Sequence, residues 1–134
     1  MTPFPLKIVT PEGVRFDGQA EELIVRTTSG DLGIMAGHLN LVAPLGMGRA
    51  TAIIDGQKKY AACIGGMVAV VNGRVDLVPT SFEWAEDIDA DRAERAYQQA
   101  QQALNAKGTS EADIRLAKAR LHRALVRKNV ASIK

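Results

Sequence analysis

The chain has 134 residues, 46% of them hydrophobic and 24% charged, with a net charge of +2. That is enough for one compact domain and an appendage, and the small charge argues against a protein built around nucleic acid, where a strong basic excess is expected. A single cysteine, Cys63, excludes an intrachain disulfide and points to a reducing compartment. No apolar run nears the ~20 residues that span a bilayer, and the first residues, with Pro3 and Pro5, show no signal-peptide core. Direct membrane insertion is therefore not expected.

In chain order, Leu6–Thr10, Val14–Phe16 and Leu23–Thr27 read as strands. Gly30, Gly33 and Gly37 mark a turn-rich loop over 29–42, with no helix after it to cradle a phosphate. Asp55-Gly56 separates the strands Arg49–Ile54 and Lys58–Ile64, and Asn72-Gly73 separates Met67–Val71 and Arg74–Val78. Such dipeptides between apolar runs are hairpin signals, because Asp, Asn and Gly tolerate positive φ. Met67–Val71 is apolar on both faces and is expected at the centre of a sheet. Short strands at this spacing predict a β-sandwich or a flattened barrel.

Near Trp84 the composition switches. All five prolines and eleven of the twelve glycines precede it; Ala, Gln, Arg, Lys and Glu, which are good helix formers, dominate after it. The reading is α+β, mainly β: a β-sandwich over 1–84 and an antiparallel two-helix hairpin over 85–134, with Trp84 packing at the junction. Asp87 is the expected cap of the first helix, whose apolar stripe is Ala93, Ala96, Tyr97, Ala100, Ala103 and Leu104. A break at Lys107-Gly108-Thr109 ends it. Ser110 to Asp113 resembles a capping box opening the second helix, striped by Ile114, Ala117, Leu121, Ala124 and Leu125.

Alanine stripes let helices approach closely but bury little apolar area per contact. Opened into one helix, 88–130 would reach roughly 65 Å. A hairpin that opens is physically cheap; a static hairpin is the plainer alternative.

Catalytic signals are thin. His38 and His122, the only histidines, lack metal-ligand partners at useful spacing. There is no nucleophile elbow and no phosphate-binding loop, and Cys63 sits in an apolar strand that suits a core thiol. Charge is more informative. Acids cluster between Glu86 and Glu94, whereas all seven charges after Asp113 are basic. Helix dipoles account for part of this pattern. Arg123 and Arg127 share a helix face. Paired with Arg92 across a hairpin, they would make a three-guanidinium clamp for a polyphosphate, the alternative being a solvated basic face.

These residues also carry a resemblance. Val9 to Gly13 (VTPEG), Ser29 to His38 (SGDLGIMAGH), Leu41 to Pro44 (LVAP), Ile64 to Met67 (IGGM) and Glu83 to Ala93 (EWAEDIDADRA) resemble the epsilon subunit of bacterial F-type ATP synthases, end to end. Met35-Ala36 departs from the family's usual Leu-Pro. The resemblance implies a non-catalytic rotor subunit of the central stalk that links gamma to the c-ring. It would be peripheral at the cytoplasmic face of the bacterial membrane, with Asp31 toward the c-ring and His38 toward gamma.

It also implies helices that extend into the alpha/beta catalytic head and inhibit ATP hydrolysis. In the ATP-binding subtype, ATP holds the hairpin folded as a regulatory ligand rather than a substrate, with or without Mg²⁺. Ile88, Asp89, Arg92 and Ala93 match that subtype's motif, Glu83 its adenine-side contact, and Arg123 and Arg127 its phosphate contacts. Gln98 and Gln99 stand where strong binders can carry a further base. The runner-up reading is a β-sandwich adaptor with a static helical tail and no nucleotide.

Overall fold

The computed structural model describes residues 2–106 and 110–133. The expected break at Lys107-Gly108-Thr109 lies outside them, as does Lys134 of the basic tail. Described residues up to Trp84 form one compact unit and those from Ala85 onward a second.

The first unit is a sandwich of two five-stranded sheets. Its strands are β1 (Phe4–Thr10), β2 (Gly13–Ala20), β3 (Glu22–Thr27), β4 (Gly30–Ile34), β5 (Leu41–Pro44), β6 (Met47–Ile54), β7 (Gln57–Ile64), β8 (Met67–Val71), β9 (Arg74–Val78) and β10 (Ser81–Trp84). One sheet runs in the order β2-β1-β9-β8-β5 and the other β10-β7-β6-β3-β4. All pairings are antiparallel except β1 with β9.

Period-two alternation builds the core. Phe4, Leu6 and Ile8 of β1 point inward, as do Leu23 and Val25 of β3, Val68 and Val70 of β8, and Val75 and Leu77 of β9. Fully burying a side chain of this size contributes about 1.5–3 kcal/mol, so an aliphatic core holds the unit with few aromatics. The two expected hairpins form as read. Asp55 and Asn72 take φ of 53° and 51°, and the glycines after them 76° and 80°.

One expectation needs correction, one strand was not expected, and one expectation is met. The turn-rich loop over 29–42 contains β4 and the start of β5: Leu32 and Ile34 alternate inward between glycines, and Leu41 and Ala43 alternate inward in the short strand that follows. Ser81–Trp84 is a strand pairing β7, not only a boundary. β8 does lie inside its sheet, but its second face is open: Met67 is 42% exposed and Val71 52%. Trp84 sets its ring edge-on to Phe82 at 4.9 Å and to Phe16 at 6.5 Å. Its indole N–H donates to the Arg15 carbonyl at 3.4 Å, which ties β10 to β2 within the sandwich.

Gly65-Gly66 carries the chain from one sheet to the other. Gly66 has φ +92°, and a Cβ there would collide with the Val78 carbonyl and with Pro79. Gly56, at φ +76°, has open space around it. Gly56→Ala should therefore lose only the ~1–2 kcal/mol of left-handed strain, and Gly66→Ala at least ~1 kcal/mol more through overpacking. Urea unfolding followed by Trp84 fluorescence measures both, and equal losses would show the collision is relieved by backbone movement.

Candidate ligand site on the helical hairpin

A 3₁₀ turn over Ala85–Asp87 leads into α1 (Ala90–Leu104), and α2 spans Glu111–Ala131. The cap of α1 is Asp89, not Asp87. Asp89 is extended at φ −76°, ψ 104°, as an N-cap must be, and its Oδ1 accepts from the Arg92 amide at 3.1 Å. Asp87 is consumed in the 3₁₀ turn, and Ile88 behind it is buried. Ser110 caps α2 as expected, its hydroxyl accepting from the Asp113 amide at 3.2 Å.

The helices run antiparallel. Lys128, late in α2, places Nζ 2.9 Å from Glu94 Oε2 and 4.4 Å from the Tyr97 ring centre, both early in α1. Their buried residues include Ala93 and Ala100 on α1 and Ala117, Ala124 and Ala131 on α2, each set spaced by sevens. This is a coiled-coil-like seam built from the smallest side chain that still packs. Two stripe assignments fail: Ala103 is exposed, and Leu125 is 37% exposed while Val126 and Val130 are buried instead.

Small side chains on both helices leave a cleft of about 360 Å³ between them, within the size range of small-molecule sites. Its walls are Ala96, Ala100, Ala103, Ala117 and Ala124; its polar groups are Gln99 from α1 and Arg120, Arg123 and Arg127 from α2. Among the described residues, no carboxylate lines it. Arg123 and Arg127 are thus brought together as the sequence suggests. Gln99, which stands where the resemblance puts a further base in strong binders, joins them, as does Arg120, not assigned to the site from sequence. The missed signal was the spacing of 120, 123 and 127, which puts all three arginines on one face.

The other expected ligand residues sit elsewhere. Ile88 and Ala93 are buried, at 2% and 0% exposure. The Asp89 carboxylate serves as the helix cap. Arg92 is exposed one turn before Ala96, outside the cleft lining. Glu83 belongs to β10 in the sandwich unit.

In that unit Asp31, on edge strand β4, pairs through Oδ1 with Arg26 Nε of β3 at 2.8 Å. His38 is exposed, its Nδ1 2.8 Å from the Leu39 carbonyl. The same unit exposes apolar groups: Leu39, next to His38 in sequence, at 83%, and Val42, Met67, Val71 and Val78 on β5, β8 and β9. Cys63 is buried, which pushes its thiol up to about 12, so at neutral pH it is a core thiol rather than a thiolate. Among the described residues, no cluster of His, Cys, Asp and Glu is placed to hold a metal ion, and no helix is long and apolar enough to cross a membrane.

Comparison with known proteins covers both units. The model of the ATP synthase delta/epsilon chain β-sandwich domain matches residues 3–85, and that of the delta/epsilon long α-helix domain matches residues 86–132. The ATP synthase epsilon chain of Bacillus velezensis is 42% identical over 94% of this chain and 95% of its own length. That of Shouchella clausii is 36% identical over 100% and 98%. Among solved structures, a chain of the Euglena gracilis mitochondrial ATP synthase superposes with a TM-score of 0.83, at 20% identity, over 100% of this chain and 83% of its own, a likeness of fold.

The Glu94–Lys128 tie is open to a pH test. The Gln98 amide, 2.9 Å from Glu94, and then Lys128 hold the Glu94 carboxyl below its ordinary value. A lowered folded pKa stabilises the hairpin above the unfolded value, and that contribution is lost as pH falls through the folded one. Lys128→Met should therefore move the Glu94 titration upward by NMR and flatten the acid limb of hairpin stability. An unmoved Glu94 titration would show that the ion pair does not form in solution.

Proposed function

The chain belongs to the ATP synthase delta/epsilon chain family, and from that premise we propose that it is the epsilon rotor subunit of a bacterial F-type proton-translocating ATP synthase. It sits in the central stalk at the cytoplasmic face of the membrane, joins gamma to the c-ring, and is itself non-catalytic. The sandwich is the docking unit. Its exposed apolar groups at Leu39, Val42, Met67 and Val71 are the kind of surface that marks a protein interface. Asp31 and His38 lie on the exposed segment that the family directs toward the c-ring and gamma.

The hairpin is the regulatory unit. Folded, it binds ATP as a ligand; extended, it carries the basic α2 toward acidic surfaces of the alpha/beta catalytic head and inhibits hydrolysis. The observation that carries this reading is the alanine-walled cleft holding Arg123 and Arg127. A ligand held between the helices binds only the closed form and stabilises it by RT ln(1 + [ATP]/Kd), about 1.4 kcal/mol at ten times Kd. That is enough to matter across an alanine seam. Asp89 and Arg92 at the start of α1 complete the nucleotide contacts on the hairpin, and Glu83 of β10 is the adenine-side contact that the family supplies. Mg²⁺ accompanies ATP only insofar as the triphosphate brings it. The Lys128 contacts with Glu94 and Tyr97 favour, as a second reading, a hairpin that stays closed. An exposed pair of this kind is a weak tie, so it biases the hairpin without locking it.

Calorimetry on the isolated chain tests the nucleotide. Asp89→Asn with Arg92→Ala removes both charges while leaving a competent cap. ATP affinity should fall at least tenfold, or ~1.4 kcal/mol. Unchanged affinity removes these two residues from the site.

Truncation after Trp84 tests inhibition. The sandwich core is complete by Phe82, so the truncated chain should still assemble and couple the rotor. Hydrolysis by the reconstituted complex should rise, most at low ATP. Equal hydrolysis by truncated and full-length complexes at both low and high ATP would leave the static-adaptor reading in its place.

A further inference from the structure

We propose that Arg120, with Gln99 on the other helix lining the same cleft, is the third cation of a polyphosphate subsite in the hairpin. The inference deepens the ATP reading and rests on it for the nucleoside; for the anion it rests on the cleft itself.

Sequence reasoning groups Arg120 with the bases directed at an acidic partner. The fold places it in the lining of the same cleft as Arg123 and Arg127. Steps of three and four residues stack the three guanidinium groups along one side of α2. Among the described residues neither Arg120 nor Arg123 is engaged by a carboxylate. Like charges at these spacings repel and destabilise a helix that holds them. A bound anion turns that repulsion into attraction, so the site favours a ligand with several adjacent negative groups over a single phosphate. Planar guanidinium forks match the oxygens of successive phosphates.

The opposite wall supplies Gln99, whose amide donates to an oxygen without adding charge. The remaining wall is alanine from both helices. With no carboxylate among the described lining residues to repel the anion, and small side chains on both walls, about 360 Å³ is left for it. Because α1 and α2 each contribute a wall, occupancy requires the closed hairpin.

The test is calorimetry on the full chain with two probes, ATP and inorganic tripolyphosphate. The variants are Arg120→Gln, Arg120→Lys and, as a control for general charge, Arg115→Gln, which lies outside the cleft lining. Helicity by circular dichroism checks that each variant folds. Arg120→Gln should weaken both ligands at least tenfold, Arg120→Lys less, and Arg115→Gln by under twofold. If the wild-type chain binds ATP and Arg120→Gln matches Arg115→Gln for both probes, the third-cation assignment is overturned and the ATP reading stands. If tripolyphosphate binds through Arg120 but ATP does not bind, the nucleotide reading fails and the subsite stands. If neither probe binds the wild-type chain, both are wrong.

Discussion

The helical unit depends on how alanine packs against alanine. Ala93 and Ala100 on one helix, and Ala117, Ala124 and Ala131 on the other, are buried at heptad spacing. A methyl side chain lets two backbones come close while removing little apolar surface from water. Leucine at the same positions would fill the space between the helices. With alanine the space stays open, and it becomes the cleft that the arginines of α2 line. The same choice thus sets two properties at once: a seam weak enough to be biased by a ligand, and a cavity in which a ligand can do the biasing.

The sandwich is built on the opposite principle. Leu6, Ile8, Leu23, Ile34 and Leu77 are essentially removed from water, and their loss would be felt across both sheets. Its open apolar groups are confined to outward positions such as Val42 and Val71. The proposed function asks for a body that stays docked and an appendage that responds, and the change from aliphatic strands to alanine helices at Trp84 suits both demands within one short chain.

How much of this was legible in the sequence depends on the kind of signal. The Asp55-Gly56 and Asn72-Gly73 hairpins were readable because their positive φ leaves few residue choices. The switch from strands to helices was readable because proline and glycine stop where alanine and charge begin. β4 was not, since Gly30 and Gly33 interrupt the alternation that reveals a strand, and β5 was not, since it is only four residues long and ends in Pro44. The cap moved from Asp87 to Asp89 because either aspartate satisfies local chemistry and only the burial of Ile88 decides between them. In the cleft, Arg123 and Arg127 were legible from spacing and resemblance. Arg120 was not, because which side of a helix faces a partner depends on the seam, and a weak stripe of alanines marks it poorly.

The placing of β1 has a consequence for how the chain is made. β1 lies inside its sheet, with β2 on one side and β9, its only parallel neighbour, on the other. The hairpin to β2 can close as soon as both strands leave the ribosome. The pairing of Leu6 with Val75 spans nearly the whole unit and must wait for β9. Such long-range closure is slow compared with local hairpins. During synthesis the inner edge of β1 stays unpaired until about residue 78, and only afterwards do the helices emerge, when the body that precedes them already has the residues it needs to fold.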